Sequence, residues 1–452
     1  MAESPSLITS LNETKLSRFH LRAALVSGTG FFTDAYDLFI IGIASTLIKE
    51  QWHLGSSELG LLNSTTLLAS FLGAVVFGRI ADVLGRKRVY WVVAAIMVVG
   101  ALGSAFAPDF GLLVAARFVL GVGIGGDYPV SAVLMSEWAN RKERGKLVSM
   151  VFATQAIGMI IGPLVALALL GAGTSHELAW RIMLGLGAVP AAAVMYLRGK
   201  MPESPRYQLA QAARAPRPRP REFFANRRNL VMLIGTAGTW FIFDYAYYGN
   251  TISTPQILKL VSPHASLTAA IALELAIFVV AALPGYLLAI VKVDKIGHRK
   301  LQWVGFLMMA ACFVVIGLVP GVSAAVLPFV MAYGVSYFFA EFGPNTTTFI
   351  LPSELFPVSM RATSHGISAG VAKFGAFLGV FLFPVIESRF GLRGILTLTA
   401  GFAVLGALLT LVLPEPAGRS LEEISDEDDV VAAAEQVLAD AGATPAPDRT
   451  ML

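Results

Sequence analysis

Charge is what this 452-residue chain has least of: 14% of its residues are Asp, Glu, Lys or Arg, against about 25% in a soluble domain, and 56% are hydrophobic. A chain so short of charge cannot cover a water-facing surface, and it reads as a polytopic membrane protein. Cysteine is nearly absent. The one residue, Cys312, lies in an apolar run, which excludes a disulfide framework and a cysteine-based metal site. His176, His264 and His365 lack the spacing of metal ligands. No G-x-x-x-x-G-K-[ST] loop is present to cradle nucleotide phosphates, so chemistry driven by ATP hydrolysis has no support. Neither a metal nor another cofactor is expected, and the chain does not read as an enzyme. The formal net charge of +4 sits in short loops between apolar runs, which speaks of topology rather than of nucleic acid. The segment up to Arg22 is polar, with Glu3 and Glu13, and lacks the apolar core of a cleaved leader; targeting is left to the first spanning helix. Asn12, Asn63 and Asn345 open N-x-[ST] triplets, but the first falls in a cytoplasmic segment and the others in apolar runs, so none is expected to be glycosylated.

Long hydrophobic runs, by contrast, are abundant. They fall at about 21–48, 58–80, 89–107, 111–135, 147–171, 180–198, 230–250, 265–291, 301–319, 323–350, 363–387 and 392–413, which predicts twelve spanning helices. Loops after even-numbered helices are basic: Arg79, Arg86, Lys87 and Arg88; Arg141, Lys142, Arg144 and Lys146; Arg198 through Arg228; Lys295, Arg299 and Lys300; Arg361. The odd-numbered loops hold little beyond Lys49, Lys259, Arg389 and Arg393, so the positive-inside rule places both termini in the cytoplasm.

The chain also repeats itself. D-V-L-G-R-K-R at Asp82 recurs as D-K-I-G-H-R-K at Asp294, P-E-S-P-R at Pro202 as P-E-P-A-G-R at Pro414, and Ser136, Glu137, Arg144 as Ser353, Glu354, Arg361. The offsets all lie near 212 to 217 residues, which predicts two six-helix halves. The expected organisation is a cytoplasmic segment 1–20, a first half 21–199, a linker 200–229, a second half 230–414 and an acidic cytoplasmic tail 415–452. The A-P-R-P-R-P-R stretch of the linker cannot be helical through its prolines. The tail after Leu421 is expected to be largely disordered, with at most one short helix in its Ala-rich part.

These motifs carry a resemblance. The G-R-I-A-D-V-L-G-R-K-R loop from Gly78, its degenerate copy at Asp294, and the P-E-S-P-R and P-E-P-A-G-R-S-L-E-E endings are similar to the major facilitator superfamily over nearly the whole chain. G-F-F-T-D-A-Y-D-L-F at Gly30, G-G-D-Y-P-V-S-A at Gly125 and G-P-N-T-T-T-F-I-L-P-S-E-L-F-P at Gly343 resemble its phosphate:proton symporters. The resemblance implies an all-α membrane protein, twelve transmembrane helices in two pseudo-symmetric halves. It also implies a phosphate pocket at the residues matching Asp127, Tyr128, Gln155, Trp240, Asp244, Tyr248, Asn345 and Lys373, with Asp34 and Asp37 in the proton path. The full proton relay is expected to comprise Asp34, Asp37, Asp127 and Asp244.

The residues support that reading on their own chemistry. Asp127 is a lone carboxylate in a run long enough to span a bilayer, where an acid costs roughly 2.5–3.5 kcal/mol and is usually kept for a job. The plainer alternative is a structural partner for a cation. Gly121, Gly123, Gly125 and Gly126 before it let neighbouring helices approach closely. Asp34 and Asp37, three apart on the first helix, resist ionising together, as a proton relay requires; the alternative is a hydrated interfacial pair. Trp240, Asp244 and Tyr248, spaced by four, share one stripe of the seventh helix. Lys373 sets the sign of the cargo as anionic unless it snorkels to a headgroup, and Asp127 is its expected partner when no anion is bound. Gln155 lies about one repeat from Lys373, so helices five and eleven are expected to face each other. Dihydrogen phosphate has hydroxyls that can donate hydrogen bonds to Asp127, whereas sulfate would leave that buried acceptor unpaired.

Asp82, with Arg86 following it, is expected either to meet the N-terminus of a neighbouring helix or to pair with Arg141 or Arg144. Glu137 with Arg144, and Glu354 with Arg361, are expected as gating ion pairs or as simple topological signals. The reading is a proton-coupled importer of inorganic phosphate in the plasma (inner) membrane, working by alternating access, with protons, phosphate and the bilayer as its partners. A carrier of sugars or organic acids with the same fold is the alternative, and a phosphate-sensing receptor the less favoured one.

Overall fold

The structure, a computed structural model, describes residues 7–212, 218–319 and 321–427. Among them eleven helices are long and apolar enough to cross a bilayer. They are α1 (Arg18–Trp52), α2 (Ser56–Leu84), α3 (Arg86–Ala105), α4 (Phe110–Trp138), α5 (Arg144–Gly171), α6 (His176–Gly199), α7 (Arg227–Ile252), α8 (Leu267–Ile296), α9 (His298–Leu318), α10 (Val326–Glu354) and a last one, Arg361–Thr410. That last helix has 50 residues, which at 1.5 Å per residue would run about 75 Å, over twice a hydrocarbon core. It is broken at Gly391, where φ is 65° and ψ −179°, a backbone conformation open only to glycine. α11 (361–390) and α12 (392–410) result, and the twelve spans follow the twelve apolar runs. α1 to α6 form one half and α7 to α12 the other.

The glycines of α4 act as expected. A Cβ at Gly121 or Gly125 would land on the carbonyl of Thr66 or Ser70 in α2, and one at Gly123 or Gly126 on Val93 of α3. This close packing fixes the height and rotation of α4, hence of Asp127 and Tyr128. Between the halves, α2 lies against α11 where Gly78 faces the Ala362 carbonyl and Gly366. α1 meets α7 where Gly42 faces the Ile252 carbonyl.

Several spans are interrupted at the level of the polar centre. α5 loosens at Thr154, whose hydroxyl donates to the Gly28 carbonyl of α1. α10 carries a π turn, Glu341–Asn345, in which Gly343 leaves helical geometry ahead of Pro344. Irregular backbone at such depth is tolerated where it is buried in protein.

At the joint between the halves, Pro205–Ala212 is helical, and Pro220 opens a second short helix, Pro220–Ala225, at its first position, where its missing N–H costs nothing. Pro218 and Arg219 are non-helical, as the prolines require; 213–217, the rest of the Pro-Arg stretch, lies outside the described residues. The tail differs from expectation. Leu421–Ser425 forms a helical turn, Leu421 is fully buried, and Ile424 packs with Met232, Leu351, Leu355, Phe356 and Leu413. The acidic start of the tail is therefore docked through its two apolar side chains, while the Ala-rich part lies outside the described residues.

Candidate functional site

A chain of hydrogen bonds crosses the middle of the bundle from one half to the other. Lys373 of α11 donates to Asp244 Oδ2 and to the Tyr248 hydroxyl of α7, both at 2.9 Å, and its ammonium lies over the rings of Tyr248 and Tyr128. The Tyr128 and Tyr248 hydroxyls stand 3.5 Å apart, and Gln155 Nε2 donates to Tyr128 at 3.3 Å. Tyr286 of α8 donates to Gln155 Oε1 at 3.4 Å, and Asn345 donates to Tyr286 at 2.8 Å. Asn345 also donates to Glu341, which accepts a further bond of 2.6 Å from Tyr247. Six of the residues read from the sequence, Tyr128, Gln155, Asp244, Tyr248, Asn345 and Lys373, thus belong to one network. Trp240 belongs to its wall, its ring packed at an angle to Tyr128 and edge-on to Phe349 and His365.

Asp127 stands apart from this network, which corrects its expected pairing with Lys373. Consecutive helical residues point about 100° apart, so α4 turns Tyr128 to the centre and Asp127 toward α6. There Arg198 grips both carboxylate oxygens, Nη1 to Oδ1 at 2.6 Å and Nη2 to Oδ2 at 2.7 Å, and Ser131 adds a bond of 3.0 Å. The guanidinium is also stacked over Tyr90, 3.7 Å from its ring centre. Lys373 takes Asp244 instead. Arg198, counted in the sequence among the loop charges, is fully buried: it ends the sixth apolar run, and its long side chain reaches back into the bundle.

α1 lies against this ion pair, since a Cβ at Gly30 would strike Arg198 and Asp127. Asp34, one turn further along, is fully buried, and neither of its carboxylate oxygens has a hydrogen-bond partner. Asp37 also has two unpartnered oxygens, but they face Gly187 of α6, and the Asp37 carbonyl accepts from Arg117 of α4 at 2.8 Å. The two aspartates therefore have different neighbours although they share a helix. Arg117, Glu341 and Tyr286 were missed in the sequence. The first two are lone charges in apolar runs, and the rule that singled out Asp127 would have found them.

The face that carries the even-numbered, basic loops is closed in two layers. Nearer the centre, Phe31, Phe152 and Phe349, each about one turn from Asp34, Gln155 and Asn345, pack together with ring centroids 4.5 to 5.5 Å apart. Beyond them lies a lattice of ion pairs that joins the halves. Asp82 accepts from the backbone N–H of Ala362 and Thr363 and from the Thr363 hydroxyl, so it caps α11; it also pairs with Arg86 at 3.1 Å. Its repeat copy Asp294 accepts from the N–H of Gly145 and Lys146 and caps α5. Of the two expectations for Asp82, the helix terminus is realised, and Arg141 and Arg144 are not its partners. The expected pairs Glu137 with Arg144 and Glu354 with Arg361 are exchanged between halves. Glu137 pairs with Arg361 (3.2 Å) and Arg86 (3.0 Å), and Glu354 with Arg144 (2.7 Å) and His298 (2.9 Å). The exchange has a simple cause: Asp82 and Asp294 draw the start of each capped helix, and with it Arg361 or Arg144, onto the opposite half. Glu203 and Glu415, from the two P-E motifs, accept backbone N–H groups at the starts of α3 and α9, where Gly85 (φ 95°) and Gly297 (φ 99°) make the turns.

Residues 27–380 match the Major Facilitator Superfamily. "Inorganic phosphate transporter 1-6" of Oryza sativa subsp. japonica is 34% identical over 93% of this chain and 95% of its own length. "Probable inorganic phosphate transporter 1-6" of Arabidopsis thaliana is 34% identical over 94% of this chain and 97% of its own. Among solved structures, the proton:xylose symporter XylE bound to 6-bromo-6-deoxy-D-glucose superposes with a TM-score of 0.75 at 20% identity, covering 90% of this chain and 98% of that one. A likeness so distant in sequence concerns the fold alone, and it agrees with the twelve spans. With a family match over most of its length and full-length relatives at a third identity, the chain belongs to the Major Facilitator Superfamily and is a multi-pass membrane transporter.

Proposed function

We propose that this chain imports inorganic phosphate by proton symport, alternating access between two six-helix halves. The observation that carries the reading is the Lys373-anchored chain of donors, to which both halves contribute. Lys373, Tyr248, Tyr128, Gln155 and Asn345 can each turn an N–H or O–H toward the oxygens of a small anion. Its full-length relatives carry the name of phosphate transporters, which supports the same cargo.

Asp244, rather than the saturated Asp127, is the acceptor for the hydroxyl of dihydrogen phosphate. Lys373 occupies only its Oδ2, and an incoming anion competes for that same ammonium. Sulfate has no hydroxyl to give at neutral pH and would leave Asp244 facing an anion without a proton between them, a mismatch able to discriminate by powers of ten. Proton movement is assigned to Asp34, an acid with no partner of its own beside a fixed Arg198–Asp127 pair, with Asp37 next along the helix. The state described here is closed on the basic face by the phenylalanines and the ion-pair lattice, and breaking that lattice opens the inward path. The basic loops support an orientation with that face, both termini included, in the cytoplasm of a plasma (inner) membrane.

The test is uptake of labelled phosphate by proteoliposomes under an imposed pH gradient. Accumulation that arsenate competes for, that glucose and benzoate do not, and that an uncoupler abolishes is the expected result. Uptake of a sugar or an organic acid in its place would overturn the reading.

A further inference from the structure

We infer that Glu341 is a second proton-binding residue, whose proton is linked to phosphate through the amide of Asn345; the inference rests on the phosphate reading above. Glu341 sits at the start of the π turn of α10 and is fully buried. Tyr247 donates to its Oε1 at 2.6 Å and Asn345 to its Oε2. Among the described residues, no cation approaches it from the elements packed around it. α7 presents Tyr247, α8 presents Tyr286 with Gly285 against the Glu341 Cβ, α9 presents Gly305 to the Gly343 backbone and the Pro344 ring, and α10 itself presents Asn345. Lys373, the base of the network, is engaged by Asp244 and Tyr248. The negative charge of Glu341 therefore depends on neutral donors.

Asn345 is where this matters. Its amide nitrogen carries two hydrogens, and both are in use, one on the Tyr286 hydroxyl at 2.8 Å and one on Glu341 Oε2. A phosphate oxygen that claims the second hydrogen takes a donor away from a buried carboxylate. A proton arriving on Oε2 replaces that donor, so phosphate and proton are held more tightly together than apart. Linkage makes the effect mutual: a proton on Glu341 frees the Asn345 amide for phosphate. Four residues apart, the two side chains share one face of the turn, and the Thr346 hydroxyl donates to the Glu341 carbonyl at 2.7 Å. Single π turns inside α-helices are often found at functional sites.

The experiment compares proteoliposomes of the full chain with those of Glu341→Gln. The number of protons entering per phosphate is read from a trapped pH dye and labelled phosphate, together with the pH dependence of phosphate affinity. In Glu341→Gln the ratio falls by one proton, and the slope of affinity against pH loses one factor of ten per pH unit. Glu341→Asp restores both. Tyr247→Phe keeps the carboxylate but removes a donor, and it moves the pH profile toward the alkaline side by about one pH unit, tenfold in proton affinity. An unchanged ratio and slope in Glu341→Gln, or an unmoved profile in Tyr247→Phe, overturns the inference while leaving phosphate transport intact. Wild-type vesicles that take up no phosphate at any pH would overturn the underlying reading, and this inference with it.

Discussion

In the first half Arg198 meets Asp127 through its two Nη nitrogens, and in the second Lys373 holds Asp244 through a single contact of 2.9 Å. A planar fork fills both carboxylate oxygens and never gives up its charge, whereas an ammonium is a point donor that can be shared among several acceptors. Arg198 is locked further by its stack on Tyr90, while Lys373 also donates to Tyr248 and so opens onto the polar network. On the proposed reading the difference separates two tasks: one pair is a fixed dipole beside Asp34, the other an exchangeable grip on an anion.

The largest effect is expected where the exchangeable pair is broken. Lys373→Met removes the ammonium of the network and leaves Asp244 buried without its partner. Charge-assisted hydrogen bonds are worth about 1.5–3 kcal/mol each, so phosphate binding should weaken about a hundredfold or more. Adding Asp244→Asn relieves the unpaired charge, and the double variant should regain stability without regaining affinity. Phosphate affinity near that of wild type in Lys373→Met would mean that the anion is held elsewhere.

The fixed pair is tested through its neighbour. Asp34→Asn cannot carry a proton but leaves Arg198–Asp127 and the Lys373 network in place. Exchange of labelled phosphate across the membrane should persist, while accumulation against a gradient should fall. Each unit of pH gradient supplies about 1.4 kcal/mol per proton, so the accumulation ratio drops about tenfold for every unit imposed. Accumulation equal to wild type would remove Asp34 from the proton path and leave Asp127 to explain.

How much of this was legible in the sequence follows from range. The twelve spans were, because hydrophobic length is written locally and Gly391 alone was needed to divide the last of them. Tyr128, Gln155, Asp244, Tyr248, Asn345 and Lys373 were, because a polar residue deep in an apolar run has few other reasons to be there. Partners were not. Arg198 looked like a loop residue because sequence gives the end of a span but not the reach of a side chain, and that one misplacement carried Asp127 to the wrong base. The Glu137 and Glu354 pairs failed for a related reason: repeats reveal which residues correspond, whereas domain contact exchanges partners between the corresponding copies.

That exchange offers a smaller test of the same asymmetry. Asp82 caps α11 with three hydrogen bonds and is almost fully buried, while Asp294 caps α5 with two and is 18% exposed. A carboxylate at a partly buried helix terminus is worth up to about 2 kcal/mol, so either Asp→Asn change should shift the population toward the state open on the basic face, Asp82→Asn by more. A cysteine introduced at Ser136, which bonds across to the Ser353 carbonyl, reports the opening once Cys312 is replaced by Ser. Faster labelling in both variants, in that order, is the expected result; equal labelling in all would show that the phenylalanine layer sets the gate.

The smallest effect is expected at the docked tail. Burial pushes the Glu422 carboxyl up, but the charge and hydrogen bond of the Arg206 guanidinium 2.7 Å away, joined by hydrogen bonds from the Glu422 backbone and Asn12, together hold it down at about 2. A carboxyl held below its ordinary value stabilises docking above that value and loses this contribution as pH falls toward its own pKa. The contact should therefore persist at neutral and mildly acidic pH and fade from roughly pH 4 downward to about 2. Glu422→Gln removes the charge at every pH. Hydrogen exchange at the Ile424 and Glu427 amides, bonded to the Ser420 and Glu422 carbonyls, should speed up about tenfold in that variant at neutral pH, with transport little altered. Because Leu421 and Ile424 remain buried in either case, exchange that stays slow would show that the tail is held by its two apolar side chains, with the Arg206 bridge contributing nothing.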